Sequence, residues 1–160
     1  MAGLCARTGA GLVVMHMQGE PRTMQAAPQY EDVVREVGQF FAMQMEVALA
    51  AGVAAEAVVF DPGIGFGKTV AQNFQLLAQQ ANLLRLGYPV LAGWSRKSAL
   101  GAVLATAERV PEPAERQSAS VAAALLAVER GASVVRVHDV KATVDALKVW
   151  LAMRQQERVT

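Results

Sequence analysis

The stretch AVVFDPGIGFGK, residues 57–68, carries the pattern that decides the fold. Its first part, residues 57–61, is dominated by β-branched and aromatic residues and is ended by Pro62-Gly63, which predicts a short strand. A Gly-rich loop follows, and the apolar spacing beyond it predicts a helix at residues 71–86 that Gly87 closes. A strand, a loop and a helix in this order form the repeating unit of parallel α/β proteins.

The same unit recurs on both sides of this stretch. Further strands are predicted at residues 12–16, 88–93 and 133–137, and further helices at residues 31–51, 117–130 and 141–154, with a short helix after residue 98. One face of the helix at 31–51 is mainly apolar and contains Val33, Val34, Val37, Phe40, Phe41 and Leu49. Because the strands are apolar on both faces, we expect a parallel sheet covered by helices. An open doubly wound sheet and half of a (β/α)8 barrel both fit, as one domain over residues 1–160.

The composition predicts a soluble, folded protein in a reducing compartment. Hydrophobic residues make up 53% and charged residues 18% of the chain, so a core can form. The net charge of +1 gives no electrostatic case for nucleic acid or a membrane surface as a partner. Cys5 is the only cysteine, and the least polar long stretch, residues 118–128, is about half as long as a bilayer span requires. We therefore expect a cytoplasmic protein.

Each predicted strand ends in polar residues. In parallel α/β proteins the carboxyl ends of the strands lie at one edge, where ligands bind. The polar residues at these ends are His16, Asp61, Ser95, Lys97, Arg136 and His138. Arg136 and His138 stand two residues apart on a strand and share a face, which fits either an internal ion pair or an anion site. The sequence therefore predicts a pocket that carries both signs of charge.

Asp61 and the Gly-rich loop after it have several interpretations. The Asp61 carboxylate fits a loop cap, a two-point acceptor for the N–H groups of a heterocycle, or a metal ligand. Residues 63–69 match neither familiar glycine motif, because a Walker loop needs a glycine where Pro62 stands and a dinucleotide-binding loop needs G-x-G-x-x-G. The loop is either a plain connection or a segment that admits a close ligand or moves as a lid, and it carries Phe66.

Other candidate residues also have structural interpretations. Ser95 fits a cap for the next helix or, with Lys97, a site that attracts an anion. Asp139 is predicted to cap the last helix. Met15 is more typical of a core residue, and His16 of a structural histidine.

Four motifs together carry a family resemblance. They are MHMQG at residues 15–19 with PRTM at 21–24, DPGIGFGK at 61–68, GWSRKS at 93–98 and RVHDV at 136–140. In this order and at this spacing they resemble dihydropteroate synthase over nearly the whole chain. The resemblance implies a (β/α)8 barrel of which this chain supplies strands five to eight with their helices. The N-terminal half is absent, and residues 1–6 resemble the end of the helix before strand five.

The resemblance also implies which residues bind the pterin. Asp61 would bind the amino-pyrimidinone edge, and Lys97 would hydrogen-bond the polar edge and face the second substrate. Met15 would pack on the pterin ring, and Arg136 would also lie against it.

The implied reaction is an alkyl transfer of folate biosynthesis, in which p-aminobenzoate attacks the pterin methylene and diphosphate leaves. Ser95 and Phe66 would form the p-aminobenzoate pocket. Arg136 and His138 would hold the diphosphate, so that Lys97, Arg136 and His138 are the expected catalytic residues. Mg²⁺ would accompany the diphosphate, with no metal ligand in this half, and the full-length protein would be a homodimer.

Two alternatives stay open at this point. One is a non-catalytic half barrel that binds a pterin or an anion and self-associates to cover its sheet edges. The other is a different pterin-binding barrel, such as a methyltetrahydrofolate methyltransferase, although the motifs at 95–98 and 136–138 argue against it.

Overall fold

The computed structural model describes residues 1–157. Its helices are α1 (Ala2–Thr8), α2 (Val33–Ala50), α3 (Val70–Ala78), α4 (Gln80–Leu84), α5 (Ser98–Leu104), α6 (Gln117–Glu129) and α7 (Val140–Gln156). Its strands are β1 (Leu12–Met15), β2 (Val58–Asp61), β3 (Leu91–Ala92) and β4 (Val134–Val135). Short 3-10 turns lie at Ala55–Ala57 and Pro113–Arg116. The predicted α/β class, with helices between parallel strands, is confirmed.

The strands within residues 1–157 run parallel in the spatial order β1-β2-β3-β4. β1 pairs with β2, where Met15 lies opposite Asp61, and β3 pairs with β4 in the same direction. A parallel bridge between Phe60 and Val90 joins the two pairs. Strands that follow one another in sequence are therefore neighbours in space, as successive β/α units are.

One face of this sheet is covered and the other is open. The covered face contains Val58, Phe60, Val90 and Ala92, each at most 2% exposed. The register places alternate residues on the open face, namely Val13, Met15, Val59, Asp61, Leu91 and Val134. Val13 is 52% exposed and Val134 is 41% exposed. Of the two architectures that fit the sequence, a doubly wound sheet would have helices on both faces, whereas the helices of residues 1–157 pack on one face.

α2 packs on the covered face through its apolar side. Its start is fixed by the Asp32 carboxylate, which accepts hydrogen bonds from two following backbone N–H groups at 3.0 Å. Phe41 stacks on Phe60 with ring centroids 4.3 Å apart, and both rings are fully buried. Burying one such ring contributes about 1.5–3 kcal/mol. Leu49 was predicted on the same face but is 48% exposed, because it lies beyond the buried stripe of the helix.

The helix predicted at residues 71–86 is broken at Gln79 into α3 and α4. Gln80 is 2% exposed, and its side-chain amide donates to Ala127 O at 2.9 Å and to Arg130 O at 3.1 Å. These carbonyls lie at the end of α6, where a helix leaves carbonyl groups without partners of its own. The break therefore allows a long-range contact that the local apolar spacing does not encode.

β3 and β4 are shorter than the strands predicted at residues 88–93 and 133–137. Pro89 has no N–H to donate, which limits the ladder at the start of β3. The Arg136 N–H still donates to Ala92 O at 3.1 Å, so the backbone pairing continues past β4. Arg136 and His138 therefore follow the strand rather than lie within it.

Cys5 is buried as a free thiol. Across residues 1–157, no helix combines the length and the apolar character that crossing a membrane requires.

Candidate functional site

The carboxyl end of the open face gathers the predicted charged residues. Met15 lies beside Asp61 across the β1–β2 ladder, and Gly93 and Arg136 directly follow β3 and β4. The Arg136 guanidinium lies over Gly93, since a Cβ at position 93 would meet its nearest nitrogen at 2.8 Å. Arg136 takes part in none of the salt bridges found within residues 1–157. The interpretation of Arg136 as half of an internal ion pair is therefore wrong for the part of the chain that the structure describes.

Asp61 uses one of its carboxylate oxygens inside the protein. Oδ1 accepts the Gly63 N–H at 2.8 Å, whereas Oδ2 accepts no hydrogen bond from residues 1–157, and the residue is 6% exposed. Burial raises the pKa of Asp61, and the Gly63 N–H and the charges of Arg136, Lys97 and Lys68 oppose that rise. The loop-cap interpretation therefore holds for one oxygen, and the other is available to a further donor.

Lys97 extends across the Gly-rich loop toward Asp61 and Arg136. Its Nζ lies 4.1 Å from the centre of the Phe66 ring, a cation–π contact. Its stem passes Gly65, where a Cβ would meet Lys97 Cδ at 3.2 Å. Burial lowers the pKa of Lys97, the Arg136 charge lowers it further, and Asp61 opposes both. The structure therefore brings Lys97 and Phe66 together, although they lie on separate loops.

Ser95 bonds to His138 instead of capping the next helix. Ser95 Oγ accepts the backbone N–H of His138 at 3.1 Å and lies 2.9 Å from His138 Nδ1. The N-cap position of α5 is occupied by Lys97, and no side chain caps that helix. The capping interpretation of Ser95 is wrong, because its hydroxyl ties the loop after β3 to the loop after β4.

A family model described as pterin binding enzyme matches residues 1–138. The chain belongs to the pterin binding enzyme family.

This chain is similar to dihydropteroate synthases. This chain is 50% identical over 140 residues to the synthase of Haemophilus influenzae. The matched region covers 87% of this chain and 49% of that protein. This chain also matches the crystal structure of the Stenotrophomonas maltophilia synthase, which has imidazole bound in its active site, with a TM-score of 0.89 and 52% sequence identity. The match covers 96% of this chain and 56% of that chain. The Xanthomonas albilineans synthase in complex with 7,8-dihydropteroate matches with a TM-score of 0.86 and 45% identity, over 96% and 54% of the two chains. The resemblance drawn from the motifs is confirmed, and the chain spans about half the length of the curated relatives it matches.

Lys68 is buried and holds the Gly-rich loop. The sequence alone gave this lysine no role. Lys68 is 3% exposed, and its Nζ donates to Phe66 O at 3.0 Å and Gly63 O at 3.1 Å and lies 3.0 Å from His16 Nδ1. Burial lowers the pKa of Lys68 to about 8. Burial and the Lys68 charge together lower the pKa of His16 to about 4, so the imidazole is neutral at pH 7. The prediction that His16 is a structural histidine is confirmed.

Two glycines of this loop, Gly63 and Gly67, are required by the protein's own backbone. Gly63 and Gly67 have left-handed φ values of 68° and 61°. A Cβ at Gly63 would overlap His16 O, and a Cβ at Gly67 would overlap Gln18 O. The Tyr30 hydroxyl donates to Gly67 O at 2.9 Å and fixes the end of the loop. The close approach expected from the glycines is therefore made by neighbouring backbone, and the loop is anchored at several points.

An ion pair between Arg96 and Asp139 joins the same two loops as Ser95 and His138. Arg96 Nη2 lies 3.0 Å from Asp139 Oδ1, and Arg96 has a left-handed φ of 62°, which is uncommon for a residue other than glycine. The Arg96 N–H donates to Ser120 Oγ at 2.9 Å, and Arg116 donates to Arg96 O at 3.0 Å. Asp139 precedes α7 as predicted, but its side chain makes no cap because it pairs with Arg96. Sequence reasoning missed this pair, and nothing in the local pattern marks it.

No set of three or more His, Cys, Asp or Glu side chains within residues 1–157 is placed to hold a metal ion. Mg²⁺ requires a nearly octahedral set of oxygen ligands. The donors of this segment alone therefore do not fit a magnesium site.

Proposed function

We propose that this chain is the C-terminal half, (βα)5–8, of a dihydropteroate synthase (β/α)8 barrel. A half barrel has helices on one face of its sheet, because the other face points to the barrel interior. Val13 and Val134 are exposed on that second face, where strands from outside this chain would cover them. The relatives, which are about twice as long, support the same assignment. Residues 1–160 would then form part of one domain.

The observation that carries the proposal is the meeting of Asp61, Lys97 and Arg136 at one end of the sheet. They come from three different β/α units, and Asp61 and Lys97 each influence the other's pKa, as Arg136 influences both. The Xanthomonas albilineans relative was crystallised with 7,8-dihydropteroate, which contains a pterin and a p-aminobenzoate moiety. We call the end of the sheet where Asp61, Lys97 and Arg136 meet the mouth of the site, and we infer that it binds a pterin diphosphate and p-aminobenzoate.

The pterin is held by groups that face this mouth. Asp61 Oδ2, which has no partner within residues 1–157, accepts hydrogen bonds from the amino-pyrimidinone edge. Met15 is 37% exposed beside Asp61 and packs on the ring. Lys97 hydrogen-bonds the polar edge, and Arg136 lies against the ring system.

The p-aminobenzoate subsite is formed by Phe66, which contacts Lys97, and by Ser95. The Phe66 ring is held by the Lys97 ammonium, and Ser95 is 6% exposed. An aromatic wall and a buried hydroxyl fit an aromatic ring with a polar substituent. The amine of this substrate is thereby directed at the pterin methylene.

Catalysis consists of orienting the two substrates and stabilising the leaving group. The amine nitrogen forms a bond to the methylene carbon, the carbon–oxygen bond breaks, and diphosphate leaves with the electron pair while the amine loses one proton. Arg136 and His138 face the diphosphate and stabilise the charge that develops on it. Lys97 adds a third donor at the pterin side of the reacting carbon.

Three features of the whole enzyme belong to this proposal. Mg²⁺ would accompany the diphosphate, with its protein ligands outside this chain, and no step above depends on it. The intact protein is a cytoplasmic homodimer. Exposed apolar side chains on α7, with Val149 73% and Leu151 50% exposed, support association beyond a single copy.

The test is reassembly of the enzyme from two halves. We define the reassembled synthase as this chain co-expressed with the N-terminal half of the Haemophilus influenzae relative. We expect dihydropteroate from the reassembled synthase and none from either half alone. Lys97→Met should abolish turnover without loss of assembly, whereas Lys148→Met, which changes an exposed lysine on α7, should not.

Two results would contradict the proposal. Turnover by this chain alone would show that the other half is not needed. A reassembled complex, demonstrated by sedimentation, that binds the pterin diphosphate in calorimetry but forms no product would favour the second candidate. That candidate is a non-catalytic half barrel that self-associates through its open face, and the exposure of Val13 and Val134 is the observation in its favour.

A further inference from the structure

We propose that Ser95 is a positioning residue that holds His138 in the tautomer with its proton on Nε2. The imidazole then presents an N–H donor, rather than a lone pair, to the anion at the mouth of the site. The identity of that anion as diphosphate rests on the proposed function. The tautomer of His138 rests on the contacts of this chain alone.

The Ser95 hydroxyl accepts one hydrogen bond from His138 and donates another to it. Ser95 Oγ lies 3.1 Å from the backbone nitrogen of His138 and 2.9 Å from its Nδ1. A backbone N–H can only donate, so the first contact makes Oγ an acceptor. The hydroxyl hydrogen is still available, and the acceptor placed to receive it within residues 1–157 is His138 Nδ1.

The opposite assignment leaves a buried donor without a partner. If Nδ1 carried the proton and donated to Oγ, then Oγ would accept two hydrogen bonds and its own hydrogen would have no acceptor. Ser95 is 6% exposed, so water does not readily take that place. Buried polar groups in proteins are nearly always paired, which favours donation from Ser95 to Nδ1.

Among the residues that the structure describes, no other acceptor competes with Ser95 for a proton on His138 Nδ1. In many proteins a carboxylate accepts that proton and fixes the tautomer with the proton on Nδ1. The neighbouring carboxylate here, Asp139, is instead paired with Arg96 at 3.0 Å and 3.4 Å. Ser95 therefore decides the tautomer without opposition from the charged groups beside it.

The consequence for function follows from the geometry of the ring. A neutral imidazole has one N–H group, and with Nδ1 accepting, that group is Nε2 on the far side of the ring. His138 is exposed, and its Nε2 has no hydrogen-bond partner within residues 1–157. A donor aimed at an anion stabilises developing negative charge, whereas a lone pair at the same place repels it.

Nitrogen-15 NMR of the imidazole rings tests the tautomer directly. The chain contains two histidines, and His16, whose Nδ1 accepts from Lys68, is an internal reference. Spectra are recorded at a pH above which they no longer change, so that both rings are neutral. We expect His138 to show an unprotonated Nδ1 and a protonated Nε2 with widely separated shifts. A protonated Nδ1 in the unaltered chain would overturn the proposal without any variant.

Two variants of equal shape isolate the hydroxyl. Ser95→Thr keeps the oxygen and Ser95→Val replaces it with a methyl group, so any strain from the added carbon is common to both. We expect the two nitrogen shifts of His138 to move toward each other in Ser95→Val, because the tautomers then exchange, and to stay apart in Ser95→Thr. The His16 shifts should not change in either variant. Identical His138 spectra in the two variants would overturn the proposal.

The kinetic readout separates this role from binding of p-aminobenzoate. In the reassembled synthase, Ser95→Val should lower kcat by roughly tenfold or more relative to Ser95→Thr, as expected when a donor facing a developing anion is misdirected. A rise in the KM for p-aminobenzoate with unchanged kcat would show a substrate-binding role alone and would contradict the positioning role. If the NMR result holds but the reassembled synthase makes no product, the proposed function fails and the tautomer assignment stands.

Discussion

Replacing Gly63 with alanine tests whether the Gly-rich loop is fixed by its contact with the end of β1. Gly63 has a φ of 68°, and a Cβ there would overlap His16 O and reach to 3.4 Å from Lys68 Nζ. Neither neighbour can move freely. The His16 N–H donates to Asp61 O at 3.0 Å, and Lys68 is buried with three hydrogen-bond partners.

The expected loss of stability has two sources. An alanine in the left-handed region costs about 1–2 kcal/mol. Forcing an added carbon into packed backbone costs about 1–3 kcal/mol more. The free energy of unfolding should therefore fall by about 2–5 kcal/mol. Alanine also restricts the unfolded chain, which offsets about 0.4–1 kcal/mol of that loss.

Gly87→Ala is the matched control for this substitution. Gly87 has a φ of 81°, but a Cβ there would have no neighbouring atom within 4 Å. Gly87→Ala has the same backbone strain and the same restriction of the unfolded chain, but no overlap with neighbouring atoms. Its free energy of unfolding should therefore fall by about 1–2 kcal/mol or less. Urea unfolding followed by circular dichroism gives both values, and an unchanged m value shows that the denatured state is the same.

The difference in stability between the two variants measures the cost of the overlap with β1. Gly63→Ala should be less stable than Gly87→Ala by at least about 1 kcal/mol, the lower limit of the packing cost. If the two variants lose the same free energy, the contact between the loop and β1 does not hold the loop, and the anchoring by Lys68 would need another explanation.

Three further predictions concern pH, the ion pair and the guanidinium of the site. Burial lowers the pKa of His16 from 6.5 to about 4, so the unfolded chain binds its proton first. The free energy of unfolding should be insensitive to this group above pH 6.5 and fall by up to about 3 kcal/mol as the pH drops toward 4. In a double-mutant cycle, Arg96→Gln and Asp139→Asn should show a coupling energy of about 0.5–1.5 kcal/mol, because the pair is partly shielded from water. Gly93→Ala should displace the Arg136 guanidinium and lower kcat/KM of the reassembled synthase by roughly tenfold, with little change in melting temperature.

Each of these predictions has its own control. His16→Gln should flatten the pH dependence between pH 6.5 and 4, and an unchanged slope would place the titration elsewhere. Additive effects of the two single substitutions would show that Arg96 and Asp139 do not interact. Gly11→Ala, where a Cβ would meet Ala57 O at an ordinary 3.6 Å, should leave kcat/KM unchanged. Equal activity losses at positions 11 and 93 would argue against a specific effect on Arg136.

The family resemblance and the order of strands and helices could be predicted from the sequence. The first depends on short motifs, and the second depends on the composition of each segment. Residues 57–68 predict a strand and a loop from their own composition, and the boundaries of β2 agree with that prediction within one residue. Asp61, Lys97 and Arg136 were predicted to meet because parallel strands place their carboxyl ends at one edge. The same rule holds for Met15, which lies opposite Asp61.

The sequence by itself determined the alternation of strands and helices, the family and the edge of the sheet where the charged residues lie. Only the tertiary structure decided how individual side chains are used there. Ser95 and His138 are 43 residues apart, and His16 and Lys68 are 52 residues apart. Apolar periodicity and capping preferences extend over a few residues. They therefore indicated a helix cap for Asp139 and, as one of two interpretations, for Ser95, and they gave Lys68 no role. Their actual partners come from other β/α units, and a hydrogen bond between such units exists only after the strands have paired.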